Sequence, residues 1–201
     1  MTVVILAGGQ SRRMGRDKLR LTLEGETLLA RAVRRYSEAF PRVLVSVAGP
    51  EKFPELGDRR VFDRYPGAGP LAGLHAGLLE AGEAVFLTGA DMPFSSPEKA
   101  LQLISLCGEK EACVLTDADG RWEPLFGFYR QSLLDRAEGL LEDGQRRMAA
   151  LLSRAELREV SLRELGEGED SRLLLNVNNP EDYEKLRLEL DGGACYDIRS
   201  I

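Results

Sequence analysis

The feature that most constrains the fold is an alternation along the chain. Short apolar, β-branched runs are separated by amphipathic helical stretches. Thr2–Leu6, Leu19–Leu23, Val43–Val47, Arg60–Phe62, Ala84–Leu87, Cys113–Thr116, Leu125–Tyr129, 157–162 and 173–177 read as strands. Helices are expected from Thr27, as the capping residue, to about Ala39. Others are expected over Leu71–Leu79, after Ser96-Pro97, near 131–142 and 145–153, and over Pro180–Leu190. Strands alternating with helices over most of the length predict an α/β fold: an open, mostly parallel sheet flanked by helices. Residues 1–190 are expected to form a single domain, with 191–201 a loosely held tail.

Composition removes several function classes. No apolar run approaches the roughly 18 residues of a membrane span, and no membrane partner is expected. The start, Met1-Thr2-Val3-Val4-Ile5-Leu6, carries no cationic stretch ahead of its apolar residues, so it does not read as a signal peptide. Cys107, Cys113 and Cys195 have no metal-like spacing and read as reduced thiols of a cytoplasmic protein. With His75 as its one histidine, the chain has no Ser/His triad or multi-histidine metal site in prospect. A net charge of −6 argues against nucleic acid as a partner. That charge is uneven: residues 1–64 carry +5 and residues 65–201 carry −11. The basic excess peaks at Arg12, Arg13, Arg16, Lys18 and Arg20, which face only Asp17. Such a run suits a solvated face or a small polyanionic ligand.

That peak falls in a glycine loop, Leu6-Ala7-Gly8-Gly9-Gln10-Ser11-Arg12-Arg13-Met14-Gly15-Arg16-Asp17-Lys18, directly after the first strand. Open α/β sheets bind ligands outside the carboxyl ends of their strands. Gly8 and Gly9 let backbone N–H groups approach phosphate oxygens, Ser11 offers a hydroxyl, and Arg13 and Lys18 offer charge. The loop is neither a Walker A motif nor G-x-G-x-x-G, and it lacks G-x-S-x-G.

The whole segment closely resembles the L-A-G-G-x-S-x-R-M-G-x-D-K signature of the molybdenum cofactor guanylyltransferases, the MobA family, and of related nucleotidyltransferases. The likeness continues at Asp63 with Gly69-Pro70-Leu71-Ala72-Gly73, and at Asp91-Met92-Pro93-Phe94. It resumes at Glu123-Pro124-Leu125-Phe126-Gly127-Phe128-Tyr129 and at Asn176-Val177-Asn178-Asn179-Pro180-Glu181-Asp182, two segments that favour the molybdopterin branch. The resemblance implies a Rossmann-like nucleotidyltransferase fold and transfer of GMP from GTP to the phosphate of molybdopterin, with release of pyrophosphate. Such a transfer needs in-line positioning, charge neutralisation and a metal rather than a protein nucleophile.

On that resemblance Asp91 is expected to hold Mg²⁺, with Arg13 and Lys18 stabilising phosphate charge. Leu6, Ala7, Gly8, Gly9, Ser11, Ser46, Asp63 and Gly73 are expected around the nucleotide; Ser46 stands where relatives often carry Asn. Arg146, Arg147, Asn176 and Asn178 are expected on the molybdopterin side. Asn176 and Asn178 alternate with Val177 and would share one face of a strand end, while Asn179 before Pro180 suits a helix cap. These are the chain's only asparagines. Transient contact with other molybdenum cofactor biosynthesis proteins is also expected.

Other features read as structural. Asp117-Ala118-Asp119 resembles a D-x-D metal motif, but the following Gly120 predicts a hairpin turn. His75 sits among leucines as a helix-packing residue, and Trp122 reads as packing, with stacking on a pterin as the alternative. Two rival functions stay open at this point: CTP-dependent transfer to the same pterin, and nucleotide binding without catalysis. The joint presence of Lys18, Asp63 and Asp91 argues against the second.

Overall fold

A computed structural model describes residues 1–8, 18–117, 119–168 and 170–192. In chain order it contains β1 (Thr2–Leu6), β2 (Thr22–Leu23), β3 (Glu26–Thr27), α1 (Leu28–Ala39), β4 (Arg42–Val47) and β5 (Arg60–Phe62). Then come α2 (Pro70–Ala81), β6 (Val85–Gly89), α3 (Pro97–Leu106), β7 (Ala112–Thr116) and β8 (Trp122–Tyr129). The chain ends in α4 (Leu134–Glu142), α5 (Met148–Leu152), β9 (Leu157–Ser161) and α6 (Pro180–Gly192). The sheet runs β5-β4-β1-β6-β8-β7-β9, and every pairing is parallel except those of β8.

β1 is buried at every position, as a β-branched run without a polar side must be. Val3 and Ile5 face one layer, where Tyr36 and Phe40 from the α1 side and Leu103 of α3 pack with Phe86 and Phe126. Val4 and Leu6 face the other, built with Leu71, Leu74 and Leu78 of α2, Leu140 of α4 and Leu151 of α5. β1 has β4 on one side and β6 on the other, so the chain winds away from it in both directions. This divergence opens a crevice at the carboxyl end of β1, the usual ligand position in such sheets. A third, smaller cluster of Leu23, Leu28, Val177 and Leu186 ties α6 to the start of α1.

Local signals set most boundaries. Thr27 Oγ1 accepts the Ala30 amide at the start of α1, and Ser96 Oγ accepts that of Lys99 at α3. Asn179 Oδ1 accepts the Asp182 amide at 2.8 Å and so caps α6. Asp117 Oδ1 accepts the amides of Asp119 and Arg121, making the expected hairpin turn; Ala118 lies outside the described residues. His75 is buried edge-on to Tyr65, as a packing residue should be. Trp122 is half-buried against the α2 layer. Among the described residues no helix is long and apolar enough to cross a membrane.

Three expectations need correction. Lys18–Arg20 forms a 3-10 turn, and only Thr22–Leu23 of the Leu19–Leu23 run is extended. It pairs with β3 around Glu24 and Gly25, both at positive φ (51° and 81°), in the backbone sense of a tight hairpin. Residues 173–177 are not a strand: Leu175 N donates to Arg172 O in a turn, and Leu173 and Leu175 serve different clusters. A short apolar run does not by itself distinguish a strand from a loop that feeds two cores. The helix expected near 145–153 begins only at Met148. Of the expected tail, 191 and 192 close α6, and 193–201 lie outside the described residues.

One buried-edge carboxylate joins three elements. Glu111, just before β7, accepts from Arg136 of α4 at 2.8 Å and from the Glu156 amide at 3.0 Å. The Arg136 guanidinium, more than the backbone donor, holds its pKa below the ordinary carboxylate range. The stability it supplies is therefore present above the unfolded carboxylate pKa and is lost as pH falls toward the folded value. Glu111→Gln is expected to cost about 1 kcal/mol at neutral pH, and the difference from the parent should shrink by about pH 3. Urea denaturation at the two pH values measures both.

Candidate active site

Past β1 the backbone continues to pair on both sides. Ala7 N donates to Ser46 O at 2.9 Å, and Leu6 O accepts from Ala90 N at 3.1 Å. Leu6 and Ala7 thus lock the end of β1 to β4 and to the residues after β6. Gly8 is exposed above them, and a Cβ on it would lie 4.0 Å from Asp63 Oδ2. Gly9, Ser11 and Arg13 lie outside the described residues.

On the β4 side, Ser46 is buried and its hydroxyl donates to Asp63 Oδ1 at 2.8 Å. Asp63 follows β5, half-buried. Burial pushes its carboxyl above the ordinary range, and the Ser46 hydrogen bond opposes that shift. Gly73 of α2 lies directly over this pair; a Cβ there would come within 2.8 Å of Ser46 Oγ. Gly8, Ser46, Asp63 and Gly73 therefore form one continuous corner of the crevice.

On the β6 side, Lys18 Nζ lies 2.5 Å from Asp91 Oδ2 and 3.3 Å from Val177 O. Both side chains are only 18% exposed. Asp91 O in turn accepts the Val177 amide at 2.9 Å. Asp91 sits where β6 has just ended, and its Oδ1 rests over Gly89: a Cβ at that glycine would fall 2.5 Å from it. The carboxylate can occupy this position only because residue 89 has no side chain.

Glu123 was not foreseen as a site residue. Glu123 lies beyond the last β6–β8 pair, Thr88 with Phe126, where β8 shifts register and pairs Glu123 with Leu115 of β7. Its carboxylate is half-buried and accepts the Leu125 amide at 3.1 Å. Burial first, then the charges of Asp91 and Asp117, push its pKa up. The signal depends on tertiary packing, which no local pattern reveals. Val177 was missed in the same way, because it acts through its backbone.

No hydrogen bond or ion pair joins the four acceptor-side residues to one another among the described residues. Since 173–177 is no strand, Asn176 and Asn178 do not share a strand face. Asn176 is half-buried, donates to Leu174 O at 3.1 Å and lines a cavity of about 400 Å³ with Arg172, Lys185 and Glu189. Asn178 is exposed, and its amide is taken by Asp182. Arg146 and Arg147 are exposed ahead of α5, where Arg147 O accepts the Ala150 amide at 3.0 Å.

Residues 3–160 match the family described as the MobA-like NTP transferase domain. The chain belongs to that family. It is 37% identical over 191 residues to a probable molybdenum cofactor guanylyltransferase of Mycobacterium avium, covering 91% of this chain and 93% of that one. A protein of the same description from Opitutus terrae is 38% identical over 192 residues, with 91% and 93% covered. Among solved structures, molybdopterin-guanine dinucleotide biosynthesis protein A of Archaeoglobus fulgidus superposes with a TM-score of 0.83 at 25% identity, covering 96% of this chain and all of that one. The fold is shared more widely: 2-C-methyl-D-erythritol 4-phosphate cytidylyltransferase of Thermus thermophilus gives a TM-score of 0.64 at 19% identity, over 94% of this chain and 98% of that one. Asp63 follows β5 and Asp91 follows β6, so both acids stand just past strands that line the crevice.

Gly89→Ala tests the clearance under Asp91. Nucleotidyl transfer is expected to fall about 10- to 100-fold, the scale of a small misplacement of a reacting group. Far-ultraviolet circular dichroism should stay that of the parent. Initial rates at saturating nucleotide measure the loss.

Proposed function

We propose that the protein transfers GMP from GTP to the terminal phosphate of molybdopterin and releases pyrophosphate. The reading is carried by the Lys18–Asp91 pair at the strand ends of a chain that matches molybdenum cofactor guanylyltransferases over most of its length. An acceptor phosphate oxygen attacks the α-phosphorus of GTP, a new P–O bond forms, and the bond to pyrophosphate breaks. No protein nucleophile is required; the chain has to bind, orient and neutralise.

Ser46, Asp63 and Gly73 hold the nucleoside end, and Gly8, Gly9, Ser11, Arg13 and Lys18 meet the phosphates. The donors on the β6 side are carboxylate oxygens, Asp91 with Glu123 nearby, and a site with few protein oxygens beside substrate phosphates suits Mg²⁺. Asp91 would hold the ion, and Glu123 adds negative potential that favours a cation there. When bound, Mg²⁺ supplies charge neutralisation for the reacting phosphates. Lys18 then has an anion other than Asp91 to pair with, and its ammonium passes from the carboxylate to a phosphate oxygen. For the acceptor we propose the side where Asn176 opens into the cavity with Arg172 and Lys185. The setting we infer is cytoplasmic, in keeping with the free, buried Cys107 and Cys113.

Pyrophosphate release tests the reading directly. With molybdopterin and Mg²⁺ present, GTP should support release and CTP should not; equal rates with CTP would shift the reading to cytidylyl transfer. Asp91→Ala is expected to remove most turnover, roughly 100-fold or more, while circular dichroism shows the parental fold. Near-parental turnover at saturating Mg²⁺ would defeat the metal assignment. Lys18→Ala is expected to raise the KM for GTP strongly, and unmoved constants would reduce Lys18 to a structural cation.

A further inference from the structure

α1 is fastened to the turn that carries Asp91 by contacts that no substrate-facing residue explains. Arg35 Nη1 donates to Pro93 O at 3.0 Å. The next residue, Tyr36, places its hydroxyl 2.5 Å from Ser95 Oγ, which lies 3.0 Å from Thr88 Oγ1 of β6. Tyr36, Thr88 and Ser95 are all buried, and burial pushes the tyrosine up to about 12, so it remains a neutral hydroxyl in this chain of hydrogen bonds. The turn is also closed on itself, since Met92 N donates to Gly89 O and Ser95 N to Met92 O. Whatever holds Pro93 and Ser95 therefore holds Asp91.

Arg35 is an odd choice for mere packing. Its guanidinium is half-buried, and among the described residues no carboxylate lies within ion-pair distance of it. Burial, with the neighbouring Arg31 charge, works against its protonated form. A cation placed there carries a desolvation cost that a leucine would avoid. What it gains is a fixed carbonyl two residues beyond Asp91.

We propose that Arg35 is a positioning residue for the transfer reaction. By holding the Pro93 carbonyl, while the Val177 amide holds the Asp91 carbonyl, it fixes the Asp91 carboxylate in the place where a divalent cation and the phosphates meet. Arg35 itself touches neither substrate. The proposal rests on the assignment of Asp91 to the cation.

The test uses the full chain as wild type, Arg35→Ala and Arg35→Lys. Two quantities are read well below the melting temperature: pyrophosphate release as a function of Mg²⁺ and GTP, and Mn²⁺ binding in the presence of GTP by electron paramagnetic resonance. Arg35→Ala is expected to lower kcat about tenfold and to weaken Mn²⁺ binding severalfold, with the KM for GTP within about twofold. Arg35→Lys should recover part of both, because an ammonium can still donate to the carbonyl. If Arg35→Ala folds and its Mn²⁺ binding and kcat match wild type, or if only its melting temperature moves, the proposal is overturned. Should Arg35→Ala fail to fold, Tyr36→Phe removes the parallel contact to Ser95 and must show the same direction of change; unchanged Mn²⁺ binding there also overturns it. A wild-type chain that releases no pyrophosphate would defeat the functional reading, whereas the Mn²⁺ comparison judges Arg35 separately.

Discussion

Lys18 and Asp91 are 73 residues apart in the chain and 2.5 Å apart in space. Their contact is the point on which the crevice depends. It joins the end of the glycine loop to the end of β6, and the Val177 carbonyl on Lys18 with the Val177 amide on Asp91 brings in the segment before α6. Three distant stretches thus meet around one carboxylate. Before substrate binds, each charge is compensated by the other in a largely buried place. A triphosphate offers Lys18 a second anion, and the carboxylate is then available to a cation. In our reading the pair is a ground-state arrangement that substrate and metal take over together.

The rest of the fold serves to keep two corners of that crevice at a fixed separation. The β4 corner holds Ser46, Asp63 and Gly73; the β6 corner holds Asp91, Gly89 and Glu123. Both are built on β4 and β6, which are buried along nearly their whole length, so neither is free to drift. β1 lies between them and pairs with β4 on one side and β6 on the other, with Ala7 and Leu6 extending the pairing one step beyond the strand. The nucleoside and phosphate ends of one ligand can therefore be read by residues that never touch each other.

Much of this was legible in the sequence. Thr2–Leu6 reads as a buried strand because β-branched residues without a polar face suit an inner parallel position, and the structure gives it those bounds. Thr27, Ser96 and Asn179 announce their helices by side-chain chemistry that works within four residues. Asp63 and Asp91 were legible as strand-end acids. The failures share a cause: they depend on distance in sequence. Leu173-Leu174-Leu175 has the apolarity of a strand but divides between two cores, which only tertiary packing decides. Glu123 comes within reach of the Asp91 charge only through tertiary packing, Arg35 reaches Pro93 across an interface between layers, and Val177 contributes backbone atoms that carry no residue signature.

A double-mutant cycle on Lys18 and Asp91 tests the central claim most directly. Binding of GTP with Mg²⁺ is measured by calorimetry for the parent, Lys18→Ala, Asp91→Ala and the double variant. If the two groups share one phosphate and cation site, their effects couple, and the double variant binds no worse than about the weaker single one. Strictly additive losses would mean that Lys18 and Asp91 act independently, and the account of the crevice would be wrong.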